Sequence, residues 1–290
     1  METAIRSAAC SLICCLTAAA MFFLASSPAM AQNPDEGGLF PKEEIFKPIL
    51  ADPKEPRFFG SVRHINNEMR KDFTGAAIGL GETFGVYRKN LGPERAWQIS
   101  ISGGVFSHFD MDTSSYDLLN SDYSIGLLWT YRDRDASLRL RVYHQSSHLG
   151  DDYVSDDPGL LDKYSGFDYE AAELITAYDW EPFRVYGGIH YLLQRDPGHM
   201  DRWSYQAGVE YESPSPVLFH GVPVAGVDIK GVQERSWTPA VSVKAGLKFK
   251  TADSSRDIMV LAEYYDGFIP YGAFYDYDMD AFGLGVYFGF

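Results

Sequence analysis

Long stretches of strict alternation between apolar and polar residues are the feature that most constrains the fold of this chain. Between residues 202 and 213 the large apolar side chains occupy every second position from Trp203 to Tyr211, and Ser, Gln, Gly and Glu stand between them. Segments 183–196 and 238–250 repeat the pattern, with Arg or Lys on the second face. Soluble sheets also alternate, but their strands average about 5–6 residues. Runs of ten residues or more instead predict strands that cross a membrane, which need ~9–11 residues.

The alternating segments predict a single all-β domain, an antiparallel transmembrane β-barrel of about twelve strands. No segment after residue 31 holds 18 uninterrupted apolar residues, so no transmembrane helix is expected. The predicted strands are 58–65, 74–88, 96–110, 117–133, 136–150, 167–180, 183–196, 202–213, 222–235, 238–250, 256–268 and 280–290.

The connections between the predicted strands indicate the orientation of the barrel. Transmembrane barrels have short periplasmic turns and longer outer loops. With a periplasmic N-terminus, the long connections 151–166 and 269–279 face outward, and the tight turns at 133–135 and 181–182 face the periplasm. Segment 214–221 is a long exception on the periplasmic side.

The first 31 residues have the pattern of a cleaved secretory signal peptide. Arg6 precedes an apolar run, and small residues stand at Ala29 and Ala31, where a signal peptidase reads. The domain organisation predicted is therefore signal peptide 1–31, a proline-rich segment 32–57 and the barrel 58–290. All three cysteines lie in the signal, so the exported chain has no disulfide, thiol nucleophile or Cys-ligated zinc. We expect Sec export and insertion into a bacterial outer membrane.

Charge and the C-terminus indicate the partners of the chain. A formal net charge of −15 excludes nucleic acid as a main partner, because that binding depends on neutralising phosphates with Lys and Arg. The last segment places Phe282, Phe288 and Phe290 on one face. It resembles the C-terminal assembly signal of bacterial outer-membrane barrels, which implies recognition of Phe290 by the barrel assembly machinery. Membrane lipids, phospholipid and lipopolysaccharide, are the other expected partners.

Two motifs carry a resemblance to a known family. Residues 46–58, FKPILADPKEPRF, and residues 146–153, SSHLGDDY, resemble two signatures of a bacterial outer-membrane family, the domain of unknown function 1207. The resemblance implies an outer-membrane barrel without an established activity. Three prolines in nine residues make the first motif extended rather than helical. We expect it to lead into the first strand or to pack across the periplasmic mouth.

A candidate catalytic pair lies in the fifth predicted strand. Leu138, Leu140 and Val142 face lipid, and the same parity places His144 and Ser146 on the lipid face near its outer end. His-Gln-Ser is similar to the His-x-Ser arrangement of outer-membrane phospholipase A and of lipid A deacylase barrels. The resemblance implies Ser146 as a nucleophile and His144 as its base, since residues two apart on a strand lie about 7 Å apart.

A third group is expected to orient the imidazole from the neighbouring strand. Glu173 is the first candidate, and Glu170 or Asp168 are alternatives. The phospholipase supplies an Asn instead, and its Asn-Gly after the serine is missing here, because Ser147 and His148 follow Ser146. The other interpretation is a non-catalytic polar belt at the outer membrane interface.

The remaining hypotheses concern metal and transport. The acidic loop that begins with Asp151 and Asp152 has oxygen ligands of the kind that Ca²⁺ prefers, without an ordered ligand spacing. Arg139, Arg141 and Arg184 face the lumen, as do Lys244 and Lys248, and one interpretation of these charges is an anion-selective narrow channel. With Glu210 and Glu212 facing them, a salt-bridged plug is the alternative. The sequence thus predicts a lipid acyl-ester hydrolase, a narrow channel, or a structural or surface barrel.

Overall fold

A computed structural model describes residues 37–68, 72–151, 154, 167–250 and 257–289. The predicted signal peptide, Asp152 and Phe290 lie outside these residues. Within them no helix has both the length and the hydropathy needed to cross a bilayer. The described residues belong to one compact unit, residues 35–290.

The architecture is a closed antiparallel barrel of twelve strands, with one extra short strand, as the alternation predicts. The short strand is β1, Gly37–Leu39. The barrel strands are β2 Phe58–Asn67, β3 Phe73–Gly92, β4 Arg95–Asp110, β5 Leu118–Asp133, β6 Ala136–Leu149, β7 Phe167–Trp180, β8 Phe183–Asp196, β9 Trp203–Glu212, β10 Val222–Val232, β11 Pro239–Lys250, β12 Asp257–Phe268 and β13 Asp278–Gly289.

Pairing of the first and last barrel strands closes the sheet. Each barrel strand pairs with its neighbours in sequence, and β13 pairs with β2 from Met279↔Asn67 to Phe288↔Phe58. No barrel strand is therefore left with an unpaired edge in the described part, as a bilayer requires. The strand β3 extends four residues beyond its predicted end because Lys89, Asn90 and Gly92 pair with β4. The short strand β1 pairs with Tyr87–Lys89 of β3.

The two faces of the strands have the polarity predicted. On β8, Val185 and Ile189 are exposed on the outer wall, whereas Arg184 and His190 are buried inside. The turns at 134–135 and 181–182 hold two residues each. Segment 213–221 is a long connection at the same end of the barrel as these turns. Both described chain ends lie at this end too, which fits a periplasmic location.

Residues 44–57 run inside the lumen, and we call them the plug. Phe46 lies between two guanidinium groups, 4.9 Å from Arg139 Cζ and 4.7 Å from Arg184 Cζ. Asp52 accepts a hydrogen bond from Lys230 Nζ at 2.7 Å. The plug is thus held by charges that the alternation directs inward, on several strands. The motif therefore does more than lead into β2: it begins near the predicted periplasmic end, where the exposed Lys47 pairs with Asp179 beside the 181–182 turn, and continues deeper into the lumen.

A second segment fills the lumen from the opposite end. Residues 269–277, which we call the outer loop, bury Ile269, Tyr271 and Phe274 against the inner faces of neighbouring strands. The plug and the outer loop meet at Asp122, which is fully buried. Its carboxylate pairs with Lys54 Nζ and accepts a hydrogen bond from the Gly272 N–H at 3.0 Å. The structure therefore does not favour the open channel. Most of the inward charges are salt-bridged: Arg139 and Arg141 to Glu173, Arg184 to Glu210 and Lys248 to Glu212.

Candidate functional site

The candidate pair lies on the outer wall of β6, as its parity predicts. His144 and Ser146 alternate with Gln145 and Ser147, both of which are buried in the lumen. The side chain of His144 is 41% exposed on the outer wall. Below it on the same face, Leu140 and Val142 are exposed apolar residues. The polar pair thus begins where the apolar stripe of β6 ends.

Glu170 of the neighbouring strand contacts the imidazole. His144 pairs in register with Glu170, and Glu170 Oε1 lies 3.0 Å from His144 Nδ1. In the neutral tautomer whose Nδ1–H donates to this carboxylate, Nε2 is a free acceptor for a proton. This is how a carboxylate orients a catalytic histidine.

Glu173, the first candidate for this orienting role, instead points into the lumen and binds two arginines there. Its Oε1 accepts a hydrogen bond from Arg139 Nε at 2.7 Å, its Oε2 accepts one from Arg141 at 2.5 Å, and it is 1% exposed. Glu170 and Glu173 are three positions apart on β7, so they point to opposite faces of the sheet. The structure therefore does not bring Glu173 and His144 together, and the alternative Glu170 contacts the imidazole instead.

Asp168 lies beside the candidate nucleophile rather than beside the histidine. It is the register partner of Ser146 on β7, and Asp196 of β8 is its own partner on the other side. Ser146 is flanked on β5 by Tyr123, whose side chain is exposed on the outer wall. The wall around the pair thus combines carboxylates on one side with an aromatic ring on the other.

The two serines of the motif have different environments. Within the described residues no hydrogen bond joins His144 to Ser146. The Ser146 hydroxyl lies on the same face of β6, two positions along the strand, but it is not hydrogen-bonded to the imidazole. Ser147 points inward, and its Oγ accepts a hydrogen bond from the Ala273 N–H of the outer loop at 3.0 Å. Ser147 is therefore occupied by a structural contact, and Ser146 is the serine on the outer wall of the barrel.

The metal hypothesis gains no support from the described residues. Asp151 is exposed, and its predicted co-ligand Asp152 lies outside the described part. The described residues contain no group of three or more His, Cys, Asp or Glu side chains arranged to hold an ion. Calcium binding stays a prediction.

The closed twelve-strand sheet with its apolar outer wall is the fold of outer-membrane β-barrels. The chain belongs to the family described as protein of unknown function DUF1207, whose model matches residues 23–290. No curated protein sequence matches the chain.

Among solved structures, the barrel is similar to outer membrane phospholipase A from Escherichia coli, with a TM-score of 0.57 and 14% identity over 85% of this chain and 94% of that one. The same values hold for the calcium-bound phospholipase dimer from Salmonella typhi. At 14% identity, these similarities show a shared barrel fold.

Proposed function

We propose that this protein is an outer-membrane lipid hydrolase that cleaves acyl esters of phospholipid or lipid A. In this proposal Ser146 is the nucleophile, His144 is the general base and Glu170 orients His144. The observation that carries it is the 3.0 Å contact between His144 Nδ1 and Glu170 Oε1 beside an outward-facing serine. Ionisable side chains on a lipid-facing wall are costly, and in membrane proteins they mark functional sites by default.

The proposed reaction uses the neutral tautomer of His144 in which Nδ1–H donates to Glu170. His144 Nε2 accepts the hydroxyl proton while Ser146 Oγ attacks the ester carbonyl. The same proton then passes from Nε2 to the leaving alcohol oxygen, which leaves an acyl-serine. Water attacks that ester with His144 again as base, and the fatty acid and free serine are released. The imidazole has to turn toward Ser146 on substrate binding, a tightening common to catalytic hydrogen bonds that are long without substrate.

The location of the pair suits a lipid ester. Leu140 and Val142 cover the wall directly below the pair, and Ile125 lies beside His144 on β5, so an acyl chain would lie against them with its ester at the polar boundary. The Escherichia coli barrel of similar fold is named a phospholipase, and this supports lipid as the substrate class. Export by the Sec pathway and recognition of Phe290 by the assembly machinery belong to the same proposal.

The test is the release of fatty acid from phospholipid or lipid A in mixed micelles by the refolded barrel. Ser146→Ala should abolish release and His144→Ala should cost nearly as much, because members of one catalytic unit are not additive. Glu170→Gln should slow release by roughly 10²- to 10⁴-fold, the contribution typical of acid–base catalysis. Heat-modifiable migration on electrophoresis checks that each variant is folded.

Ser147→Ala is the matched control, since Ser147 is adjacent in sequence and faces the lumen. It removes one hydrogen bond to the outer loop and should leave the rate of release nearly unchanged. Activity lost in Ser147→Ala but kept in Ser146→Ala would contradict the assignment. Wild-type protein that releases no acyl chain, with or without Ca²⁺, would instead favour the non-catalytic polar belt.

A further inference from the structure

Several cations share one carboxylate inside the lumen where the plug joins β2. Arg57 ends the plug, Arg63 lies on β2 and Lys244 lies on β11. Arg63 Nε donates to Glu263 Oε2 at 2.6 Å, and the Tyr287 hydroxyl also donates to Glu263. Glu263 is also the register partner of Lys244, so one carboxylate faces the three cations Arg57, Arg63 and Lys244, and two positive charges are in excess.

Neither Arg57 nor Lys244 makes a hydrogen bond or an ion pair with a carboxylate within the described residues, although Lys244 lies opposite Glu263 in the register of β11 and β12. Lys244 is 3% exposed and makes no hydrogen bond or ion pair there. Its Nζ lies 4.5 Å from the centre of the Tyr287 ring. Arg57 makes one long contact, from Nη2 to the Ile49 carbonyl at 3.4 Å, and its buried Nη1 has no partner. The Arg57 guanidinium lies 5.9 Å from the same Tyr287 ring.

A neutral donor belongs to the same group. Ser61 is 4% exposed, and its Oγ is buried without a hydrogen-bond partner. A Cβ added at Gly285 would lie 2.6 Å from Glu263 Oε1, 2.7 Å from the Tyr287 ring and 3.0 Å from Ser61 Cβ, so the serine, the tyrosine and the Glu263 carboxylate are immediate neighbours. Lys244, Arg57 and Ser61 are thus unsatisfied donors grouped around Tyr287.

Buried charge without a counter-charge is one of the most costly features that a fold can contain, so a cation in such a place is neutralised or paired. Arg57 cannot lose its proton at ordinary pH. Ring faces compensate a cation only in part. We propose that a small inorganic anion of halide size binds here, held by Lys244 and Arg57 with Ser61 as a further donor. Such an ion would tie the end of the plug to the barrel wall.

The size of the proposed anion is limited by the route into the lumen. The plug and the outer loop close the two ends of the lumen around this place, so the ligand has to be an ion that penetrates as water does. Phosphate or an organic carboxylate would have to enter before the barrel closes. Water alone would satisfy the donors without adding charge, and the experiment separates these cases.

The test uses the whole refolded barrel in detergent at constant ionic strength, with chloride or bromide exchanged for fluoride and a large sulfonate. The midpoint of thermal unfolding of the wild type should rise with the concentration of chloride or bromide, as for any ligand that binds the native state only. In Lys244→Met this dependence should be lost, even if the variant is more stable overall. The matched control Lys248→Met removes an inward Lys that is paired with Glu212 and should keep the dependence.

A crystal soaked in bromide gives the second measurement. The proposal expects an anomalous peak between Lys244 Nζ and Arg57 Nη1. Stability that is independent of the anion, together with no peak, would show that water fills the place and would overturn it. A response to phosphate but not to halide would overturn the size class. Because neither readout involves lipid hydrolysis, the result is independent of the function proposed for the outer wall.

Discussion

Replacing Asp122 with asparagine should loosen both segments that fill the lumen. Asp122 pairs with Lys54 of the plug and accepts the Gly272 N–H of the outer loop. The side chain of Lys54 is 14% exposed and that of Asp122 is 0% exposed, so the ion pair is nearly free of solvent. Breaking a buried pair by removing one partner costs about 3–5 kcal/mol, because the other charge stays buried without compensation.

The side-chain amide introduced by Asp122→Asn still offers an oxygen to the Gly272 N–H, so the loss is expected to come mainly from Lys54. We therefore expect a decrease of about 3 kcal/mol in the free energy of unfolding, measured by urea titration in detergent. Hydrogen exchange should increase in residues 44–57 while the barrel strands stay protected.

A double-mutant cycle sharpens this test. Lys54→Met combined with Asp122→Asn removes both charges, so its cost should be smaller than the sum of the single costs by about 1–3 kcal/mol. Costs that add, or a loss below about 1 kcal/mol for Asp122→Asn, would refute the claim that this pair holds the plug. Equal exchange rates for residues 44–57 in wild type and variant would refute it independently.

Further predictions concern the plug, the outer loop and the C-terminus. Phe46→Ala should cost about 3–5 kcal/mol in urea titration, because a 3% exposed ring between two guanidinium groups is removed. Burial raises the pKa of Glu44 to about 7 from 4.5; this favours the protonated carboxyl in the docked plug, so stability should fall as pH rises from 4.5 through about 7. Hydrogen exchange measured in mildly acidic and mildly alkaline buffer checks this, and Glu44→Gln should flatten the difference. Gly272→Ala should displace the outer loop, since its Cβ would lie 2.6 Å from the Phe167 ring; unchanged exchange in residues 269–277 would contradict this. Deleting Phe290 should reduce the heat-modifiable fraction in membranes more than Trp237→Ala does.

The number of strands and the facing of β6 were predictable because their patterns have one apolar face. Leu138, Leu140 and Val142 face lipid with only polar residues between them, so parity alone places His144 and Ser146 outside. The pattern of β7 lacks this contrast. Ile175 and Ala177 are apolar on its inner face because they pack with Phe46 and Ile49 of the plug. With apolar residues on both faces, the parity of β7 is ambiguous, so the pattern does not separate Glu170 from Glu173.

The sequence contains an indication of the plug that the alternation pattern alone does not use. Phe106, Leu261 and Tyr265 are large apolar residues on inner faces, where an open aqueous channel would have polar ones. Together with a segment of three prolines and several charges before β2, they indicate an interior filled by protein. The contacts that fix the plug, such as Asp52 with Lys230, join residues far apart in sequence, and one sequence does not determine such pairs.

The two faces of strand β6 have different roles. Odd-numbered positions from Arg139 to Ser147 hold the plug and the outer loop, and even-numbered positions from Leu138 to His148 form the wall that meets lipid. A saturation mutagenesis scan of this strand should therefore give phenotypes with a period of two. Substitutions at odd positions would lower the amount of folded protein, whereas those at His144 and Ser146 would leave the amount unchanged. Selection on abundance and selection on activity would then act on alternate residues of the same strand.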